Sequence, residues 1–200
     1  MAYVDFNLLK SIVLPPHASQ TKAKDSSVCL DQFLNMLQNL MSIGKNLSES
    51  EISLLTISLQ QFLNHKARPN KYAYTGDINI GDIFNINCGL RYDPVLSYDH
   101  PALVMSKIED LYFVVPSSTA QEKMNNAYNT ENVNRSWYYY KVGQSDGFHE
   151  NCALILGNAL VVSRYAFLTK EGHVIQDIND PESTFQKIRI LILENMLKMS

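Results

Sequence analysis

The sequence predicts an α+β protein in which a helical N-terminal extension precedes a small β-barrel and a closing helix. Three observations predict it. Apolar residues recur at helical spacing in two segments before residue 70, after which the texture changes to short apolar runs punctuated by Gly, Asn and Asp. Helical periodicity then returns beyond Pro181. The domain boundary is placed near Lys71, which gives an extension over 1–70 and a barrel with its helix over 71–200.

Residues 3–13 form a short apolar run, followed by Pro15-Pro16-His17 and a Ser/Thr/Lys-rich stretch that reads as an exposed linker. Over 28–43, Leu30, Phe33, Leu34, Leu37, Leu40 and Met41 make one helical face, and Gly44 supplies a stop. Ser48 with Glu51 has the capping-box pattern for a second helix. Ile52, Leu55, Leu59, Phe62 and Leu63 form its apolar face before Arg68-Pro69-Asn70 ends it. The pair reads as an antiparallel hairpin over 28–66 whose apolar stripes must pack on the rest of the chain or on a partner. Strands are expected at 83–87, 102–106, 112–115, 137–142, 153–156, 159–162 and 173–175. Short strands with tight turns favour a small barrel. Segment 120–136 is long for a barrel loop and is a candidate for function or mobility. Phe185, Ile188, Ile192 and Met196 mark the closing helix.

At 200 residues the chain buries a sizeable core without staples. Its net charge is −3, and residues 71–180 hold eight basic against thirteen acidic side chains. That balance argues against strong non-specific binding to a phosphate backbone, so any nucleic-acid contact is local. Cys29, Cys88 and Cys152 are odd in number and without a CxxC, which suits reduced thiols of a cytoplasmic protein. The start of the chain lacks a leader pattern, and no segment approaches the roughly 20 apolar residues that span a bilayer, so no membrane partner is expected. No solenoid period, Walker loop, GxGxxG or HExxH occurs; no cofactor or metal is expected.

Chemistry concentrates around two apolar runs, Ala102-Leu103-Val104-Met105 and Leu111-Tyr112-Phe113-Val114-Val115, joined through Lys107-Ile108-Glu109-Asp110. As an antiparallel hairpin they set His100 beside Ser117, Ser118 and Thr119, an imidazole next to hydroxyls that suits acid/base work and phosphate binding. Each candidate also has a plain structural reading. His100 fits a hydrogen-bonded residue at a strand's start, and the hydroxyls fit caps of turn amides after Pro116. Arg91 either overhangs the site or is solvated. His149 with Glu150 either carries function or belongs to a capped turn. Trp137-Tyr138-Tyr139-Tyr140 offers stacking faces for unpaired bases, although strand alternation turns half of them into the core.

The order Gly81-Asp82-Ile83-Phe84, His100-Pro101-Ala102-Leu103-Val104 and Val114-Val115-Pro116-Ser117-Ser118-Thr119 resembles the MazF/PemK family of plasmid-maintenance toxins. The later run Leu154-Ile155-Leu156-Gly157-Asn158, then Arg164 and Thr169-Lys170-Glu171-Gly172-His173-Val174, is similar to that family's closing strands and K-x-G-x-V turn, so the match covers roughly 74–198. The resemblance implies an SH3-like barrel, usually a homodimer with a cognate antitoxin, that cleaves single-stranded RNA without metal by 2′-hydroxyl attack on the adjacent phosphate. Ser118 and Thr119 match that family's hydroxyl pair and Arg164 lies where it places basic residues near the RNA path; with the reading of the residues themselves, His100, Ser118 and Thr119 are the candidate catalytic residues and Arg91, Ser117, His149 and Arg164 the candidate substrate contacts. His100 stands where the family has an arginine, and Val95 where it has an acidic residue. An imidazole is charged only part of the time at neutral pH, so His100 either does acid/base work in a variant mechanism or leaves cleavage weakened. Alternatives are a non-catalytic RNA- or protein-binding barrel and a Cys-His thiol hydrolase of NlpC/P60-like type, with Cys152 as nucleophile and His100 as base. The latter needs Cys152 to open a helix or stand in an electropositive cleft.

Overall fold

A computed structural model describes residues 2–13, 21–67, 74–89, 98–129 and 135–196. The chain divides into two compact units, Met1–Leu54 and Leu55–Ser200. The boundary expected near Lys71 lies outside the described residues, as do Arg91, Val95 and the Pro15-Pro16-His17 segment.

In the first unit, helices α1 (Phe6–Val13) and α2 (Ser27–Gly44) precede the start of α3 (Glu49–Ala67). Residues 3–13, read only as an apolar run, thus contain a helix. The Ser26 hydroxyl caps α2 by accepting from the Cys29 amide at 3.3 Å. Ser48 and Glu51 form the expected capping box: the Glu51 carboxylate accepts from the Ser48 amide at 2.8 Å, and the Ser48 hydroxyl accepts from the Glu51 amide at 3.2 Å. Gln32, Asn35 and Asn39 share one side of α2 and hold the first residues of the chain, bonding Asp5, Tyr3 and Ala2 through their backbones. No residue of α1 or α2 is buried, and Phe33, Leu34 and Met41 stay exposed.

The second unit is built on a mixed sheet. Its strands are β1 (Asp82–Asn87), β2 (Asp99–Ile108), β3 (Leu111–Ser118), β4 (Ala127–Tyr128), β5 (Ser136–Val142), β6 (Cys152–Ile155), β7 (Leu160–Ser163) and β8 (Phe167–His173). The order is β4-β5-β6-β3-β2-β1-β8, with β7 also on β3, and only the two-residue β4 runs parallel to its neighbour. Strand β3 carries the topology because it pairs with β7 over Leu111–Val114 and with β6 at Ser117 and Ser118. Pro116 falls where the ladder changes partner, so its missing N–H disrupts least there. Segment 120–136 is not a plain loop: it contains the short helix α4 (Gln121–Asn126) and β4. The last expected strand lies earlier than its apolar residues suggested, because 167–173 gains its place by pairing with β1. Helix α5 (Thr184–Met196) follows. No described helix is long and apolar enough to cross a membrane.

Alternate residues of the central strands enter two separate cores, which explains their unbroken apolar runs. Ile83, Leu103 and Val115 pack with Tyr140, Leu154 and Ile188 on one face, while Phe84, Val104 and Val114 pack with Tyr112, Val162 and Phe167 on the other.

Asp82 fixes the start of this sheet. Its carboxylate is 1% exposed and accepts from the Asn79 amide at 2.8 Å, with Lys170 Nζ at 2.6 Å and His173 Nδ1 at 2.8 Å. Gly81, at φ 89°, precedes it, and a Cβ there would lie 2.9 Å from Val174 Cγ2. The Gly81-Asp82 pair and Lys170–Val174, expected as a turn but found as the end of β8, are distant in sequence and meet as one structural device. Burial alone raises the Asp82 carboxyl, but Lys170, the Asn79 amide and His173 outweigh it and hold it below the ordinary value of 3.8. Because the folded value is depressed, the pairing stabilises the fold fully above pH ~4 and is lost as pH falls through the lowered value. Asp82→Asn is expected to cost about 2 kcal/mol near neutrality and to show a flatter acid limb than the parent. Urea unfolding across the acid range measures both; a variant as stable as the parent at neutral pH removes Asp82 from this role.

Candidate functional site

The β2–β3 hairpin forms with a two-residue turn at Glu109 and Asp110, and its ladder runs back to Ala102 opposite Pro116. Extending that register places Pro101 across from Ser117 and His100 across from Ser118. Residues facing one another in an antiparallel ladder share a sheet face, and the next pair takes the other face. The expected constellation is thereby divided. Ser117 lies with Pro101 on the face of Ile83 and Leu103, and its hydroxyl donates to the Pro101 carbonyl at 3.2 Å. His100 and Ser118 lie on the face of Val104 and Val114, half-buried, with His100 opposite Ile86 of β1. The Ser118 hydroxyl accepts from the Ala120 amide at 3.3 Å, the turn-capping role weighed for it in the sequence.

On the Ser117 face a cleft of about 380 Å³ opens, lined by Ile83, Pro101, Ser117, Thr119, Phe148, His149, Glu150, Cys152 and Glu171. It gathers three expected residues, Ser117, Thr119 and His149. Two carboxylates enter from separate elements: Glu150 from the loop before β6 and Glu171 from β8. Sequence reading missed Glu171, since its position follows only from the pairing of β8 with β1.

The loop bearing His149 is held from three sides. Asp146 accepts from the Gly143 amide at 2.9 Å and from the Thr184 hydroxyl of α5 at 2.8 Å, and its carbonyl accepts from the Ile175 amide at 3.3 Å. Gly147, at φ 102°, passes so close to β8 that a Cβ would stand 2.1 Å from the His173 carbonyl oxygen. Phe148 then turns into the core while His149 and Glu150 stay exposed.

Arg164 does not line this cleft. Its Nη1 donates to the carbonyls of Tyr74 at 3.0 Å and Gly76 at 2.9 Å, tying down the segment before β1. A second, shallower cleft of about 450 Å³ carries Trp137, Tyr138 and Tyr139 of β5 beside Lys123 of α4. Tyr140, on the other side of the strand from Trp137 and Tyr139, is buried in the core, where burial first, then Asp146 and Tyr128, push its hydroxyl up to about 12. Among the described residues no three of His, Cys, Asp and Glu converge as metal ligands.

Cys152 opens a strand rather than a helix and is 4% exposed. Burial is the main reason its thiol is pushed up to about 11; Glu150, Asp146 and Glu171 add to the rise, and the Ser117 hydroxyl offsets only part of it. The electropositive cleft required of a nucleophilic thiol is absent from its described surroundings. Cys152 is expected to react with iodoacetamide at neutral pH about 100-fold more slowly in the folded chain than in urea. Peptide mapping by mass spectrometry reads this; folded-state labelling as fast as that of the half-buried Cys29 marks an activated thiolate instead.

In comparison with known proteins, no protein-family model matches the chain and no curated protein sequence matches it.

Proposed function

We propose that residues 74–196 form an SH3-like, MazF/PemK-like module that cleaves single-stranded RNA without metal at the Ser117–Thr119 cleft. The observation that carries this is the convergence of Thr119, Ser117 and His149 with two carboxylates in one cleft. Transesterification needs a base for the 2′-hydroxyl, an acid for the leaving 5′-oxygen and donors for the phosphoryl oxygens. The Glu150/Glu171 pair supplies the base, in place of the acidic residue lost at Val95. The O2′–P bond forms as the P–O5′ bond breaks, and the His149 imidazolium gives its proton to O5′. The products are a 2′,3′-cyclic phosphate and a 5′-hydroxyl. Thr119, exposed at the end of β3, offers its hydroxyl to the phosphoryl oxygens. Flanking bases stack on Trp137 and Tyr139, with Lys123 on the backbone.

A second reading has its own observation: no Lys or Arg lines the cleft among the described residues, whereas Glu150 and Glu171 do. That charge fits a basic segment of a partner protein, as for a non-catalytic barrel.

Incubation of the full chain with single-stranded RNA in EDTA across about pH 5–9 separates the two. For the nuclease, His149→Ala lowers the cleavage rate about 100-fold and His100→Ala far less. Glu150→Gln with Glu171→Gln tightens RNA binding while lowering the rate. Intact RNA throughout overturns cleavage and leaves the acidic docking surface.

A further inference from the structure

The run Trp137-Tyr138-Tyr139-Tyr140 divides between the two faces of β5. The register sets Tyr140 against Leu154 and Val142 against Cys152, on the face that bears Ser117 and its cleft. It sets Tyr139 against Ile155 and Lys141 against Ala153, which in turn faces Ser118. Trp137, Tyr139 and Lys141 therefore share the face turned away from that cleft. The two sites are neighbours all the same. Strand β3 ends at Ser118, β5 ends at Val142 and β6 opens at Cys152, so one rim of the sheet has the cleft on one side and Lys141 on the other.

The rings are held in place before any ligand arrives. The Tyr138 hydroxyl donates to Asn158 Oδ1 at 2.8 Å, and its ring lies so close over Gly157 that a Cβ there would overlap it. Trp137 and Tyr139 stand edge-on to this anchored ring, with centroids 6.0 and 5.0 Å away. All three are half-buried and line the shallower cleft with Lys123. No acidic side chain lines it among the described residues, and Arg135 and Lys141 flank the rings with no acid between them. Within a stretch that is acidic overall, this is a local run of cations. A fixed aromatic shelf of that charge suits stacked bases and their phosphates, and little ordering entropy is lost on binding. Along the strand, Trp137, Tyr139 and Lys141 follow one another at intervals of about 7 Å.

We infer that a single strand of RNA seated at the Ser117–Thr119 cleft continues over this rim onto Lys141, Tyr139 and Trp137, on the opposite face of the sheet. The substrate must then be unpaired and longer than the cleft alone can hold. A duplex offers the rings no free base face and is too stiff to fold over the rim. The inference deepens the nuclease reading and rests on it for what fills the cleft, while occupancy of the shelf is measured apart from cleavage.

Trp137 is the only tryptophan of the chain, so its fluorescence reports stacking whether or not RNA is cut. Titration of the full chain in EDTA with a single-stranded RNA dodecamer is expected to quench that fluorescence saturably. Binding is at least about tenfold tighter than for a trinucleotide, and a duplex of the same sequence does not quench. Tyr139→Leu, which keeps apolar bulk and removes the ring, weakens dodecamer binding about tenfold, whereas Tyr139→Phe retains it. Lys141→Ala lowers the slope of log affinity against log salt by about 0.7. Quenching by RNA that stays intact upholds the shelf and overturns cleavage. Cleavage of the dodecamer without quenching, equal affinity for trinucleotide and dodecamer, or quenching by the duplex overturns the path over the rim.

Discussion

A carboxylate out of water is costly unless its charge and lone pairs are answered, and Asp82 is answered three times over within 2.8 Å. Only its exact surroundings make the position tolerable: Gly81 on one side in a left-handed conformation, and a β8 strand close enough to bring Lys170 and His173. Much of the second unit follows from that junction. The Val174 amide donates to the Gly81 carbonyl at 2.9 Å, which sets where β8 ends. The end of β8 in turn receives Gly147 at near-contact distance, and Gly147 aims the next two residues, Phe148 inward and His149 outward. The edge of the cleft is thus positioned by an ion pair that does not line it.

Strand β3 imposes the second constraint. It is buried on both faces through Val114 and Val115 and serves two further strands along one edge, so its residues have little freedom to exchange faces. Two-residue periodicity then separates Ser117 from Ser118 regardless of how near they are in sequence. Ser117 is committed to Pro101 and to the neighbourhood of Cys152, and Ser118 to the Ala120 amide. Thr119, just past the strand, escapes this commitment and keeps its hydroxyl at the surface.

The legible parts of the sequence were those governed by local rules. The capping box at Ser48 and Glu51, the stop at Gly44 and the two runs of the β2–β3 hairpin all appear where spacing and turn chemistry place them. What stayed hidden depends on pairings between distant segments. Residues 167–171, Phe-Leu-Thr-Lys-Glu, do not alternate and become β8 only against β1, which is also what carries Glu171 into the cleft. Helix α3 misled in part: its one buried residue is Ser58, while Leu59 and Phe62 share a cavity wall with Gln61 and His65, and Phe62 and Leu63 stay exposed. Hydrophobic periodicity locates a buried face only where burial is the face's purpose.

The two carboxylates bear on the cleft's chemistry in a way that simple attraction misses. At 4 Å, like charges repel by about 1 kcal/mol in water and about 4 kcal/mol near a protein surface, so under the proposed function Glu150 and Glu171 would oppose a resting phosphate. Rate acceleration depends on what is bound better at the transition state than before it. In the proposed cleavage, as the 2′-hydroxyl proton moves to a carboxylate, that carboxylate would lose its charge while negative charge builds on the phosphoryl oxygens. Repulsion present in the ground state is relieved on the way to the transition state. Under the proposed function, a hydroxyl-and-imidazole cleft flanked by glutamates would thus pair weak substrate holding with a favourable change during reaction.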